Sequence, residues 1–233
     1  MRGFFSALSF LTIVRINTAF DAKSAVRYFP LVGLLIGLGV YALSFIHGLF
    51  AYLAAVYCVF ITRGLHLDGL ADTSDAFFSL RDKVKMLEIM KDSRLGSFGV
   101  LAIVVVLLGR YAAFLHIKDY LMLIFIPSYS RFGCIYLMKK LPYGRKTGTA
   151  APFFKQFNIT DFLIGYAIIL SSFFVIKGVL PFVVAGVFFV YTFLLFEYFK
   201  SKIGVITGDM LGFAIETTQL LLLLVVAIYD LYV

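Results

Sequence analysis

Residues 30–61 read PLVGLLIGLGVYALSFIHGLFAYLAAVYCVFI, 32 positions without an Asp, Glu, Lys or Arg. A membrane-spanning helix needs about 20 mostly apolar residues, so the run is too long for one span. His47-Gly48 near its middle is the natural break, and it predicts helices at 30–46 and 49–63. The whole chain agrees with that reading. Its 233 residues are 62% hydrophobic, 18% aromatic and 15% charged, with mean hydropathy +0.98. Soluble domains are about 45–50% apolar and about 25% charged. A soluble globular enzyme, a disordered chain and a disulfide scaffold are therefore excluded.

Five more apolar stretches follow, at 97–115, 120–138, 162–176, 178–196 and 210–229. The expected fold is all-α: a polytopic integral membrane helical bundle of about seven transmembrane helices. It forms one domain over 1–233, with no internal repeat or linker and one long polar loop at 62–96. Residues 1–14 carry one Arg before an apolar stretch and lack a small-residue cleavage site, which predicts an uncleaved interfacial or partly inserted helix. Gly33 and Gly37 make a GxxxG, read as close helix packing. Cys58 and Cys134 lie in apolar runs and read as buried small hydrophobes.

The net charge of +8 has a topological explanation. Segments 2–27, 63–94, 139–155 and 200–202 hold 17 of the 21 Lys and Arg. With seven spans all four fall on one side, which the positive-inside rule makes cytoplasmic. The chain is thus expected in the cytoplasmic membrane among membrane lipid, with no need for nucleic acid. A homo-oligomer is compatible with the sequence. The same basic face would favour an anionic substrate or anionic headgroups.

Six of the 13 acids fall between Asp68 and Asp92. Asp68, Asp72 and Asp75 stand at i, i+4 and i+7, one stripe of a helix continuing from the second span. Glu88 and Asp92 are again i, i+4. Ser79-x-x-Asp82 between them looks like a helix start. Stacked carboxylates repel and raise one another's pKa unless a cation lies between them. Oxygen-only ligands suit Mg2+, with Mn2+ as the alternative. A solvated loop of self-paired acids and bases is the competing reading; the single stripe at a membrane boundary favours the metal. Lys91, Arg94, Arg63 and Arg81 could hold the rest of an anionic group.

Other residues have two readings each. Thr207-Gly208-Asp209 reads locally as a helix N-cap. Residues 139–155 hold five bases, no acid and two glycines, an anion cradle or a plain positive-inside loop. Arg110 and Arg131 lie within spans, where charge is costly. Each could pair with Glu216 or contact a substrate phosphate. His66 could be a surface polar group, contact phosphate or shuttle a proton.

The stretch His66-Leu67-Asp68-Gly69-Leu70-Ala71-Asp72-Thr73-Ser74-Asp75 resembles the signature of the cobalamin synthase family, the adenosylcobinamide-GDP ribazoletransferases. The resemblance continues over 88–99 and at Thr207-Gly208-Asp209-Met210-Leu211-Gly212. It is fainter at Phe10-Leu11-Thr12 and Phe29-Pro30-Leu31-Val32-Gly33. Ala76 and Val205 stand where that family has Gly, and Asn17 where it has Pro; the acidic groups are intact. A partial likeness to CDP-alcohol phosphotransferases rests on Asp68-Gly69-Leu70-Ala71, and Leu65 stands where those enzymes have an Asp.

The resemblance implies joining adenosylcobinamide-GDP to α-ribazole or its 5′-phosphate, releasing GMP. Phosphoryl transfer of this kind uses a metal and in-line positioning. It implies Asp68, Asp72 and Asp92 as metal ligands, then Asp75 and Glu88. Asp75 or Asp92 would take the nucleophile's proton. Lys91, Arg94 and Arg145 would contact phosphate, and Asp209 would contact substrate. The competing readings are phospholipid-headgroup transfer from a CDP-alcohol and a small membrane transporter.

Overall fold

The computed structural model describes residues 1–154 and 156–232; Lys155 of the basic 139–155 segment lies outside the described residues. Among the described residues there are eleven α-helices and no strand. The chain opens with α1 (Arg2–Leu11), which buries Gly3, Ser6, Ala7 and Leu11. A short α2 (Ala22–Ala25) leads through a 3-10 turn into α3 (Phe29–Leu43). The charge-free run breaks near its middle: Gly48 takes φ +83 and α4 spans Phe50–Ile61.

Arg63 and Gly64 then adopt the left-handed conformation, φ 55 and 67, and turn the chain. Helix α5 (Leu65–Phe78) departs from α4 at 84°. The next helix, α6 (Lys83–Ile89), is capped by Asp82, whose side chain accepts from Lys85 N at 2.9 Å. The helix start read at Ser79-x-x-Asp82 therefore moves to Asp82. Ser79 instead ends α5, its hydroxyl donating to Ala76 O. Five long or apolar helices complete the bundle: α7 (Ser97–His116), α8 (Met122–Lys140), α9 (Leu163–Val175), α10 (Leu180–Lys202) and α11 (Gly208–Tyr232).

A helix occupies each of the seven apolar stretches, yet not all are built to cross a bilayer alone. Four segments are long and apolar enough among the described residues: Ala22–Leu43, Ser97–His116, Leu180–Lys202 and Gly208–Tyr232. The pair α4 and α5 would make a fifth. Helices α4 and α9 have 12 and 13 residues, so each reaches only about 18–20 Å against a hydrocarbon core of about 30 Å. The expected count of seven is not reached on length and composition.

The two GxxxG glycines do pack closely. A Cβ on Gly33 would stand 2.5 Å from the Pro127 carbonyl oxygen, and one on Gly37 would overlap the Ile124 carbonyl. Helices α3 and α8 therefore touch backbone to backbone, and Ser128 Oγ donates to Pro30 O at 2.7 Å across the seam. Deeper in the bundle, Arg110 of α7 pairs with Glu216 of α11 at 2.6 Å, both side chains almost fully buried. Arg131 is met by neutral acceptors, Gln219 Oε1 at 2.9 Å and Pro127 O at 3.0 Å. Cys58 and Cys134 are buried free thiols.

The basic segments gather at one end. Arg145 donates to Met90 O and Gly144 N to Ile206 O, which ties three loops together, and Arg63 donates to Phe10 O of α1. At the other end, Asp230 accepts from the backbone N–H groups of Lys118 and Asp119.

Candidate active site

Glycine brings the two sequence motifs together. A Cβ on Gly69 would stand 2.6 Å from the Asp209 carbonyl oxygen and 2.9 Å from its Cα. One on Gly212 would stand 3.0 Å from His66 O. With hydrogen in place of those methyls, the start of α11 lies directly on α5, and Asp209 joins the field of Asp68 and Asp72. Thr207 Oγ1 accepts from Met210 N at 3.3 Å, so the cap is Thr207 and the Asp209 carboxylate is left for another partner.

That partner is Arg145. A single parallel bridge between Tyr143 and Ile206 lays the 142–149 loop beside α11. Arg145 then pairs with Asp209 and donates to Met90 O at 3.0 Å. Asp72, on α5 and outside the four spanning helices, feels the result. Burial, then Asp68 and Asp209, push its carboxyl up to about 7, with Arg145 pulling the other way. One guanidinium acts on two of these carboxylates, Asp72 and Asp209.

The remaining acids have other partners. Asp75 accepts from Gly96 N at 2.7 Å on one oxygen and from Gly99 N at 2.9 Å on the other. It satisfies amide groups at the start of α7 that the helix itself cannot. Asp92 is held by Arg94 at 2.6 Å, and those hydrogen bonds bring its carboxyl down to about 2. Glu88 pairs with Lys85 at 2.9 Å on the exposed surface of α6. Lys91 is exposed. The structure thus gathers Asp68, Asp72, Asp209 and Arg145, while Asp75, Glu88 and Asp92 bond elsewhere.

Two cavities meet at Asp68. The outer one, about 610 Å³, is open, with Arg63, Asp68, Asp72 and Ser93 beside apolar Leu65, Leu95 and Ile103 in its wall. The inner one, about 190 Å³, is more enclosed and runs between α1, α3, α5, α8 and α11. His66 faces it, 3% exposed, with Nδ1 3.9 Å from Glu216 Oε1.

Oxygen donors and unbalanced negative charge at Asp68, Asp72 and Asp209 suit a hard divalent cation. Among the described residues, no three His, Cys, Asp or Glu side chains converge closely enough to hold one. The donor chemistry fits; ligand distances are not assembled.

Comparison with known families places these motifs in context. A model of the family described as cobalamin-5-phosphate synthase matches residues 3–227. The chain belongs to the cobalamin-5-phosphate synthase family. A relative from Clostridioides difficile (strain 630), named adenosylcobinamide-GDP ribazoletransferase, is 36% identical over 96% of each chain. Relatives of the same name from Alkaliphilus oremlandii and Desulforamulus reducens are 31% and 34% identical over 96% and 94% of each chain. No solved structure matches. Family membership covers both acidic motifs and the α11 start, the segments that the glycines join.

No pattern in the sequence marks the inner cavity. Its walls come from segments about 200 residues apart along the chain, and no spacing rule links Phe10 to Gly212. The available signal was the faint family likeness at Phe10-Leu11-Thr12 and at Phe29. In the sequence Arg63 is one of several bases near the acids; the structure puts it in the outer cavity wall.

Proposed function

We propose that this chain joins adenosylcobinamide-GDP to α-ribazole, or to its 5′-phosphate, releasing GMP at the end of cobalamin assembly. The observation that carries this reading is the junction at Asp68, where the family's two motifs and Arg145 meet between two cavities. A hydroxyl of the ribazole attacks the phosphate attached to cobinamide and passes its proton to a carboxylate of the site, while the bridging P–O bond breaks and GMP leaves with the bridging oxygen. Asp68 and Asp72, with Asp209, would hold Mg2+ or Mn2+, and Arg145 would share the charge of the third carboxylate. When bound, the cation would neutralise developing charge on the transferred phosphoryl group. Arg63, at the rim of the outer cavity, suits the anionic diphosphate. Lys91 and Arg94 would add positive field at the entrance.

Asp75 acts by a different route in this reading: it anchors the start of α7 against α5 and so holds the Asp68–Asp72 stripe in place. The positive-inside rule puts the basic end, and with it the site, on the cytoplasmic face of the cell membrane. Family membership favours this activity over headgroup transfer from a CDP-alcohol and over transport.

Purified protein in detergent, supplied with both substrates and Mg2+, should release GMP. Asp68→Asn should reduce release by 100-fold or more, on the order of 3 kcal/mol in barrier height. EDTA should stop the reaction and Mg2+ restore it. Full activity of Asp68→Asn, or full activity in EDTA, overturns the metal assignment.

A further inference from the structure

We propose that the inner cavity receives the aromatic base of the acceptor nucleoside and that His66 is its hydrogen-bonding partner. This rests on the transferase reading above and says which substrate enters from which side of Asp68. The cavity has a rigid aromatic side. Phe153, 1% exposed, packs with its ring centroid 4.4 Å from Phe10 and 5.4 Å from Phe29, and both of those rings face the cavity. Cys134 and Ala150 add small apolar surface. A flat, apolar heterocycle is what such walls bury favourably.

The polar groups point the same way. His66 is 3% exposed, and both its ring nitrogens are buried without a hydrogen-bond partner among the described residues. An imidazole offers one donor and one acceptor, matching an azole nitrogen or a sugar hydroxyl. A buried polar group left unmatched costs about 1–3 kcal/mol, so it favours a ligand that completes it. Among the described residues no Lys or Arg lines this cavity, whereas Asp68 and Asp209 stand at its edge. A diphosphate is repelled there and a neutral base is not. The outer cavity has Arg63 and Ser93 and three times the volume, about 610 Å³ against about 190 Å³, which suits the larger anionic substrate. Asp68 lines both, so the two substrates would meet at that carboxylate.

The test is a two-substrate kinetic comparison of wild type, His66→Leu, His66→Gln and Ala150→Leu. His66→Leu should raise KM for α-ribazole about 10-fold, the loss expected for one buried hydrogen bond, with KM for adenosylcobinamide-GDP unchanged. The amide of His66→Gln should recover part of that loss. Ala150→Leu, which narrows the cavity without touching His66, should also raise KM for α-ribazole alone. Equilibrium dialysis of α-ribazole against each folded variant should give the same order. A rise in KM for adenosylcobinamide-GDP instead, or no change in either, overturns the cavity assignment while GMP release by wild type keeps the transferase reading. Wild type that releases no GMP overturns the transferase reading, and this assignment with it.

Discussion

At Asp72, burial and the carboxylates of Asp68 and Asp209 outweigh Arg145 and hold the acid neutral up to a pH of about 7. The ordinary value is 3.8, so the folded pKa lies above the unfolded one. The contribution to stability is then fully present below pH about 4 and is lost as pH rises through about 7. Asn is neutral at every pH and escapes that loss. Metal-free Asp72→Asn should melt at a higher temperature than wild type at pH 8, by the equivalent of about 1 kcal/mol after allowance for solvent screening of a half-buried group. At pH 5 most of the advantage should vanish. Added Mg2+ should stabilise wild type at pH 8 and leave the variant nearly unmoved. Thermal unfolding in detergent with EDTA checks the first part, and an equal gain at both pH values contradicts it.

Helix against helix, the decisive contacts are made by glycine. Gly37 sits where α3 meets the α8 backbone, so Gly37→Ala forces a methyl into the Ile124 carbonyl and should cost about 1–3 kcal/mol. Gly186 of α10 is the control, since a Cβ there meets nothing within 4 Å. Gly186→Ala should be neutral or stabilising by up to about 1 kcal/mol, because Ala is the better helix former. Unfolding in detergent compares the two, and equal effects would remove the packing argument. The GxxxG at Gly33 and Gly37 and the break near Gly48 were legible because both are local patterns. So was the Asp68–Asp72 stripe, set by helical periodicity alone. Extending that stripe to Asp75 asks more of spacing than it can deliver. Seven residues climb about 10 Å along a helix, so Asp75 shares a face with Asp68 and meets different neighbours. Its partners, Gly96 and Gly99, lie 21 and 24 residues on. Asp209 was locally a cap residue, and only the contact of Gly69 with α11 brings it to the site. Pairings of this kind depend on tertiary packing, which spacing along the chain does not encode.

Across the whole molecule, the ends differ in charge. The Arg145 loop bonds to Met90 and to the turn after α10 at one end, where Arg63 also meets α1, and the Lys118–Asp119 turn meets Asp230 at the other. Lys177 lies beyond α9, on the short turn into α10. If the basic end is cytoplasmic, Lys85 and Lys177 lie on opposite sides of the membrane. Both native cysteines are buried, so the wild-type background for labelling is low. Lys85→Cys replaces a side chain that is 57% exposed on α6. It should react with a membrane-impermeant maleimide only after cells are opened. Lys177→Cys, also exposed, should react in intact cells. The experiment also bears on the short helices. Lys177 reaches the far side only if α9 and α10 each cross, although α9 at 13 residues falls short of the bilayer core on its own. A short span can be accommodated by local thinning of the bilayer at a fraction of a kcal/mol per Å. Labelling of both positions from the same side would show that α9 and α10 do not cross the bilayer, and labelling of Lys85→Cys in intact cells would put the basic end and the Asp68 site on the outer face.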